Sequence, residues 1–258
     1  MESQLIIGLG GTGGRVLSAF RKIVHEKLHG EMNPQWLWLD YIYVDSSEKD
    51  LKMEDPALWN VMGHSIKLDE NSLVRIPASN LSQYIENKSR YAYLAPWIGD
   101  ETKWTNIIKD PKISEGAAGQ KRRLGRLLFA NGSQDFNRAI NNKVQRLDKN
   151  PDGNRVNFHI IAGLAGGTGS GSIVDAITKI RKEYSDNDKY KIYLYLLLPE
   201  EKTRWNTTDN YHPNGYAALL ELNALEMGVF NPWDVSERDY EVKRLEHELP
   251  FFFSIFNN

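Results

Sequence analysis

The chain is expected to fold as an α/β domain, a doubly wound, mostly parallel sheet with helices on both faces. Two observations predict it. Apolar runs rich in β-branched and aromatic residues alternate with segments of helical periodicity along the 258 residues. Three turns built from glycine and other small residues each stand immediately before a helix, the arrangement that makes a glycine-rich turn a candidate phosphate loop.

The composition fits one such domain over residues 1–258. The hydrophobic fraction of 41% and charged fraction of 26% are ordinary for a globular chain that buries a substantial core. A net charge of −2 gives no bulk electrostatic reason to expect nucleic acid or an anionic membrane. Cysteine is absent, which excludes disulfides, thiolate metal sites and cysteine nucleophiles. Ile6-Ile7 runs straight into glycines, unlike a signal peptide, and the longest apolar run, Ile192 to Leu198, is too short to span a bilayer. A cytoplasmic location is expected.

Gln4 to Leu9 reads as a buried strand that opens directly into Gly10-Gly11-Thr12-Gly13-Gly14-Arg15. Val16, Leu17, Phe20, Ile23, Val24 and Leu28 then follow helical spacing. Trp36 to Val44 is an aromatic-rich strand ending at Asp45-Ser46-Ser47. An acidic residue at that tip meets a ribose hydroxyl or base in doubly wound folds, or caps the next helix. From Leu51 to Asp110 the signal is weak and reads as an insert. Short helices are expected at 56–62, 81–88 and 102–108, with a strand near Ser65–Leu68, and Trp59, Trp97 and Trp104 are read as packing residues. His64 and its neighbours have no metal-ligand spacing.

Ser114 to Gln120 is the second small-residue turn. It leads into a helix bearing Lys121, Arg122, Arg123 and Arg126, which either help hold a phosphate or form a solvated basic face. A separate helix is expected from Gln134 to Leu147, ended by Asn150-Pro151-Asp152-Gly153. The richest turn follows the strand Arg155–Ala162: Gly163-Leu164-Ala165-Gly166-Gly167-Thr168-Gly169-Ser170-Gly171-Ser172, then a helix over 173–184. Glycines let backbone approach a ligand, and a helix start adds free N–H groups and the positive end of its dipole. Thr168, Ser170 and Ser172 are read as hydroxyl donors and a helix cap. Tyr190 to Leu198 reads as a fully buried strand, Lys202 to Pro213 as a binding loop, Asn214 to Met227 as a helix, and Phe251 to Phe256 as a last strand.

Gly8-x-Gly10-x-x-Gly13 matches a dinucleotide fingerprint, but Asp45 lies 32 residues past Gly13 where about 20 is usual. A dinucleotide fold also needs only one such loop. No stretch supplies the lysine of Gly-x4-Gly-Lys-Ser/Thr. Several loops without that lysine point to a nucleotide held mainly by backbone N–H groups.

At this level of detail the chain resembles the tubulin/FtsZ superfamily of GTPases. Gly163 to Gly171 is similar to its signature loop, usually GGGTGSG or GGGTGTG, with Ala165 in place of the first glycine. Ile7 to Arg15 is similar to its first phosphate loop, with Arg15 where FtsZ commonly has asparagine. The resemblance implies a site formed by Gly10, Gly11, Thr12, Gly13 and Arg15, by Asp45 and Ser46, by Gly116, Ala117, Ala118, Gly119 and Gln120, and by Ala165, Gly166, Gly167, Thr168, Gly169 and Ser170. Glu200 and Arg204 correspond to a ribose loop, and Asn214 or Tyr216 to a base contact. It further implies GTP or GDP, Mg2+ carried by the nucleotide and not by protein side chains, and self-association head to tail. FtsZ completes hydrolysis with an acidic loop, Asn-x-Asp-x-x-Asp, from the next subunit. Asn231 to Glu237 only approaches that pattern, and no long helix precedes it. The chain is therefore expected to be the N-terminal, nucleotide-binding part of a longer, divergent bacterial tubulin-like protein. A nucleotide-bound scaffold that recruits other proteins without hydrolysis, or a dinucleotide-dependent oxidoreductase, are the alternatives.

Overall fold

The computed structural model describes residues 2–30, 37–108, 113, 118–201, 208–235 and 244, and the backbone of 252–256. Strand β1 (Ser3–Leu9) passes without a linker into helix α1 (Gly10–Lys27). Strand β2 (Leu39–Asp45) precedes the short helix α2 (Glu48–Leu51), and β3 (Leu73–Arg75) follows an irregular stretch. Helix α3 (Arg122–Leu147), strand β4 (Val156–Gly163), helix α4 (Thr168–Glu183) and strand β5 (Tyr190–Leu197) form the second half. Helix α5 (Tyr211–Glu226) and strand β6 (Phe252–Phe256) come last.

Among the described residues the main sheet has six strands in the order β3-β2-β1-β4-β5-β6, all parallel. Every connection is a crossover, so helices lie on both faces, as the alternating pattern implies. The register sets Ile42, Ile7, Ile160 and Leu194 in one row. That row is fully buried beneath α3 and α4, each such side chain contributing about 1.5–3 kcal/mol. The opposite face is covered over β1, β2 and β4 by α1. Beside α1 an apolar hollow of about 570 Å³ remains, lined by Ile6, Phe20, Trp38, Ile161 and Tyr195. This is why β5 departs from the expected fully buried strand: Ile192, Leu194 and Leu196 are buried, while Tyr193, Tyr195 and Leu197 are half-buried.

Two other expectations are corrected. The helices at 121–126 and 134–147 are one 26-residue helix. Within it Gly132 makes room for the Ile76 side chain and Ser133 Oγ donates to the Val235 carbonyl (2.6 Å). No strand runs over Ser65–Leu68; His64–Ser65 only pairs with Asn60–Val61 in a small hairpin. The sheet edge is Leu73–Arg75, three residues and too short to display a periodicity. The insert still packs as read: Trp59, Trp97 and Trp104 are all buried.

Candidate functional site

The strand order reverses at β1, and in open parallel sheets ligands bind beyond the carboxyl ends of the strands at such a point. A cleft of about 150 Å³ lies there, between the starts of α1 and α4. It is lined by Gly10, Gly11 and Thr12, by Asp45, Ser46, Ser47 and Asp50, by Ala118 and Gly119, and by Gly166 to Gly169. Two helices of 18 and 16 residues therefore aim their unpaired N–H groups and positive dipole ends into one small space. An anion is what such a space suits.

The glycines fall into two kinds. Gly10 has φ +70°, and a Cβ there would stand 2.9 Å from the Gly169 nitrogen, so it lets the two helix starts abut. A Cβ on Gly13 would stand 2.7 Å from the Gly8 carbonyl carbon, one on Gly169 2.8 Å from the Leu9 oxygen, and one on Gly167 2.9 Å from the Lys121 nitrogen. Packing requires these three. Gly11 and Gly166 differ: the nearest atom to an added Cβ is 3.8 Å away in each case. The fold tolerates a side chain at both positions, and both line the cleft. A side chain there would fill the cleft.

Ser46 knits the loops together. Its Oγ accepts from the Ala118 N–H (3.1 Å) and shares a hydrogen bond with Thr168 Oγ1 (2.9 Å). Asp45 is buried; its Oδ1 accepts from the N–H groups of Ser46 (2.7 Å) and Ser47 (3.2 Å), and its Oδ2 from the Tyr43 hydroxyl (2.9 Å). Burial pushes the Asp45 carboxyl up to about 6 against those three bonds, with Asp50 adding to the rise. The cap of α2 is Ser47, which accepts from the Asp50 N–H, so Asp45 serves the cleft wall.

A groove of about 520 Å³ continues from the cleft across Gly11, Thr12, Gly163 and Gly166. Arg15, Gln120, Ala165, Glu200 and Tyr211 line it. A phosphate-sized cleft opening into a longer groove matches the proportions of a nucleotide.

Of the expected site residues, Gly10, Gly11, Thr12, Asp45, Ser46, Ala118, Gly119, Gly166, Gly167, Thr168 and Gly169 line the cleft, and Arg15, Gln120, Ala165 and Glu200 the groove. Gly13 lies behind the cleft against Gly8. The hydroxyls of Ser170 and Ser172 do not face the cleft, because each donates to the carbonyl four residues earlier, Gly166 and Thr168; residue Gly167, not a hydroxyl side chain, is the helix cap. Asn214 is buried outside the groove. Its amide donates to the carbonyls of Gln120 (2.8 Å), Ala165 (3.0 Å) and Gly166 (3.4 Å), bracing two loops from α5. Tyr216 is 68% exposed and lies away from both cavities. At about 100° per residue it sits across the helix from Asn214. Gly116, Ala117 and Arg204 lie outside the described residues.

Arg122, Arg123 and Arg126 have another use than either one expected. Arg126 meets Asp175 through two bonds (3.0 and 3.1 Å) and Glu221 (3.2 Å), and Arg122 grips Glu221 (2.7 and 2.9 Å). Arg123 donates to the carbonyls of Trp97 and Ile98. Burial works against the charge on Arg126, but Asp175 and Glu221 more than offset it and hold the guanidinium above its ordinary value. Arg122 and Arg126 brace α3 to α4 and α5, and Arg123 braces α3 to the segment at 97–98. Sequence reading also missed Ser47 and Asp50, which the Ser-x-x-Asp capping pattern at 47–50 signals, and Tyr211. Among the described residues no group of three or more His, Asp or Glu is placed to hold a metal ion, and no helix is long and apolar enough to cross a membrane.

A family model described as "Tubulin like" matches residues 5–250. The chain belongs to the tubulin-like family. Solved structures with the same fold include the GDP-bound monomer of CetZ1 from Haloferax volcanii (TM-score 0.50, 17% identity) and CetZ from Methanosaeta thermophila strain DSM 6194 (TM-score 0.52, 15% identity). The matches cover 84% and 86% of this chain but 47% and 43% of those proteins, so this tubulin-like chain spans less than half their length. No curated protein matches the sequence.

Proposed function

We propose that this tubulin-like chain binds a guanine nucleotide, with the phosphates in the cleft between α1 and α4 and the nucleoside along the adjoining groove. The observation that carries the reading is the pair Gly11 and Gly166, which need no close packing yet keep the cleft open between two helix starts. Support for guanine comes from the GDP-bound CetZ1 that shares the fold. Gly10, Gly11, Thr12, Asp45, Ser46, the loop 116–119 and Gly166 to Gly169 form the phosphate end; Arg15, Gln120, Ala165, Glu200 and Arg204 serve the ribose end. Asp45 and Asp50 give the cleft a negative wall, which suits a Mg2+ ion arriving with the phosphates to neutralise charge between them. Head-to-tail association of copies, with hydrolysis completed by a neighbouring subunit, belongs to the same proposal, as do a bacterial, cytoplasmic setting and further protein partners.

The test is titration of the purified protein with GDP, GTP and ATP. Guanine nucleotides should bind more tightly than ATP, and Gly166→Val should weaken binding at least tenfold while leaving the melting temperature near that of the wild type. Unchanged affinity in Gly166→Val would falsify the site. Turnover per molecule that rises with protein concentration supports assembly-completed hydrolysis; a flat profile removes that part.

A further inference from the structure

Two histidines that stand 39 residues apart in the sequence meet in the fold, away from the nucleotide cleft. His25 lies in the last turn of α1, and His64 opens the return strand of the small hairpin that packs beside it. Their ring centroids are 5.6 Å apart, with the planes inclined by 35°. His25 is only 7% exposed, yet among the described residues neither imidazole has a hydrogen-bond or ion-pair partner. Buried polar side chains are ordinarily paired, so an imidazole nine-tenths buried without a partner calls for a reason. Its neighbours follow the ordinary rule. Arg21, one turn earlier, donates to the Ile66 and Lys67 carbonyls (2.7 and 3.2 Å), and Lys22 donates to the Ala57 carbonyl (2.6 Å). These bonds pin the chain on both sides of the hairpin to α1, so the two rings are held in place before any ligand arrives.

We propose that His25 and His64 form a two-imidazole site for a divalent transition-metal ion of the zinc class, with water completing the coordination. Imidazole nitrogen suits zinc, copper and nickel, whereas magnesium and calcium take oxygen. The spacing fits. With a zinc–nitrogen bond of about 2.1 Å and a tetrahedral angle, the centroids of two bound imidazole rings stand about 5.3 Å apart. The 5.6 Å found here corresponds, at the same bond length, to an angle of about 120°. Gly30, without a side chain, leaves the Nε2 edge of His25 uncovered on that side: the atom nearest a Cβ there would be that nitrogen, at 3.8 Å. An ion between the rings would tie the end of α1 to the insert, where Trp59, just before the hairpin, stacks on Tyr43 at 6.4 Å.

Calorimetric titration of the untagged protein with Zn2+, followed by thermal melting, tests this. The wild type should bind one equivalent without competition from Mg2+, and its melting temperature should rise with Zn2+. His64→Gln should weaken binding by about tenfold or more and abolish the rise. Its melting temperature without metal should match the wild type, because His64 is exposed and makes no hydrogen bond. His25→Gln should lose the same binding, and His29→Gln, four residues beyond His25, should keep it. Absence of Zn2+ binding or an unchanged affinity in His64→Gln would overturn the proposal. An equal loss in His29→Gln would also overturn it, by moving the ion to the helix-end pair His25 and His29.

Discussion

Two buried groups give the protein opposed responses to acid. Burial raises the Asp45 carboxyl to about 6, from 3.8, so the native state binds its proton more tightly than the unfolded chain. Its contribution to stability falls as pH rises from about 4 to about 6. Burial lowers His159 to about 4, from 6.5, so its contribution is complete above 6.5 and is lost as pH falls toward 4. Each slope is at most about 1.4 kcal/mol per pH unit, and the two largely cancel. Asp45→Asn removes the carboxylate slope and leaves the histidine slope unopposed by it, and urea denaturation at pH 4, 5 and 6 should find the variant gaining on the wild type at each step. Parallel curves would show that Asp45 titrates normally. Asn214 makes a second residue-scale case. Asn214→Ala removes the donor to three loop carbonyls and should loosen nucleotide binding several-fold at a stability loss of about 1–3 kcal/mol; an affinity equal to wild type would mean the loops hold themselves. The glycine-rich loops were plain in the sequence. Which glycines serve packing was not, because that depends on backbone brought up from elsewhere, as the Leu9 oxygen is to Gly169.

Among the elements, α3, α4 and α5 are held by a buried charge cluster, and its energetics are asymmetric. Asp175 is fully buried, and burial pushes its carboxyl up while Arg126 opposes the rise. Removing Asp175 leaves the largely buried Arg126 with a single bond to Glu221. Asp175→Asn should therefore cost about 3–5 kcal/mol, whereas Arg126→Met combined with Asp175→Leu should recover most of that loss. Chemical denaturation of the three proteins decides it: a double variant as unstable as the single one would mean the cluster contributes through more than charge balance. Sequence alone could not place these arginines, since their carboxylates stand 49 and 95 residues further along. Alternation of strands and helices was legible because each long strand runs seven or eight residues and is mostly apolar. Strand β3, with three, carried no such signal.

At the scale of the molecule, ligand and fold are linked by mass action. Nucleotide at a hundred times its dissociation constant should add about 2.7 kcal/mol, raising the melting temperature by roughly 5–10 °C. A thermal scan with and without GDP would detect it, and no shift at saturating nucleotide would mean that the unfolded chain binds equally well. The sheet order has a consequence in time as well as in space. β1, synthesised before its neighbours in this sheet, lies at the centre, with β2 on one side and β4, beginning at Val156, on the other. At synthesis rates of about 5–20 residues per second, the nascent chain carries a one-sided central strand for roughly 8–30 s. For that interval the row of backbone groups along Ser3–Leu9 is an open edge, the kind of surface on which nascent chains join wrongly. The same delay governs the cleft, because its second helix start, at Thr168, follows β4 off the ribosome. Nucleotide therefore cannot template the early steps of folding; it can only reward the last one.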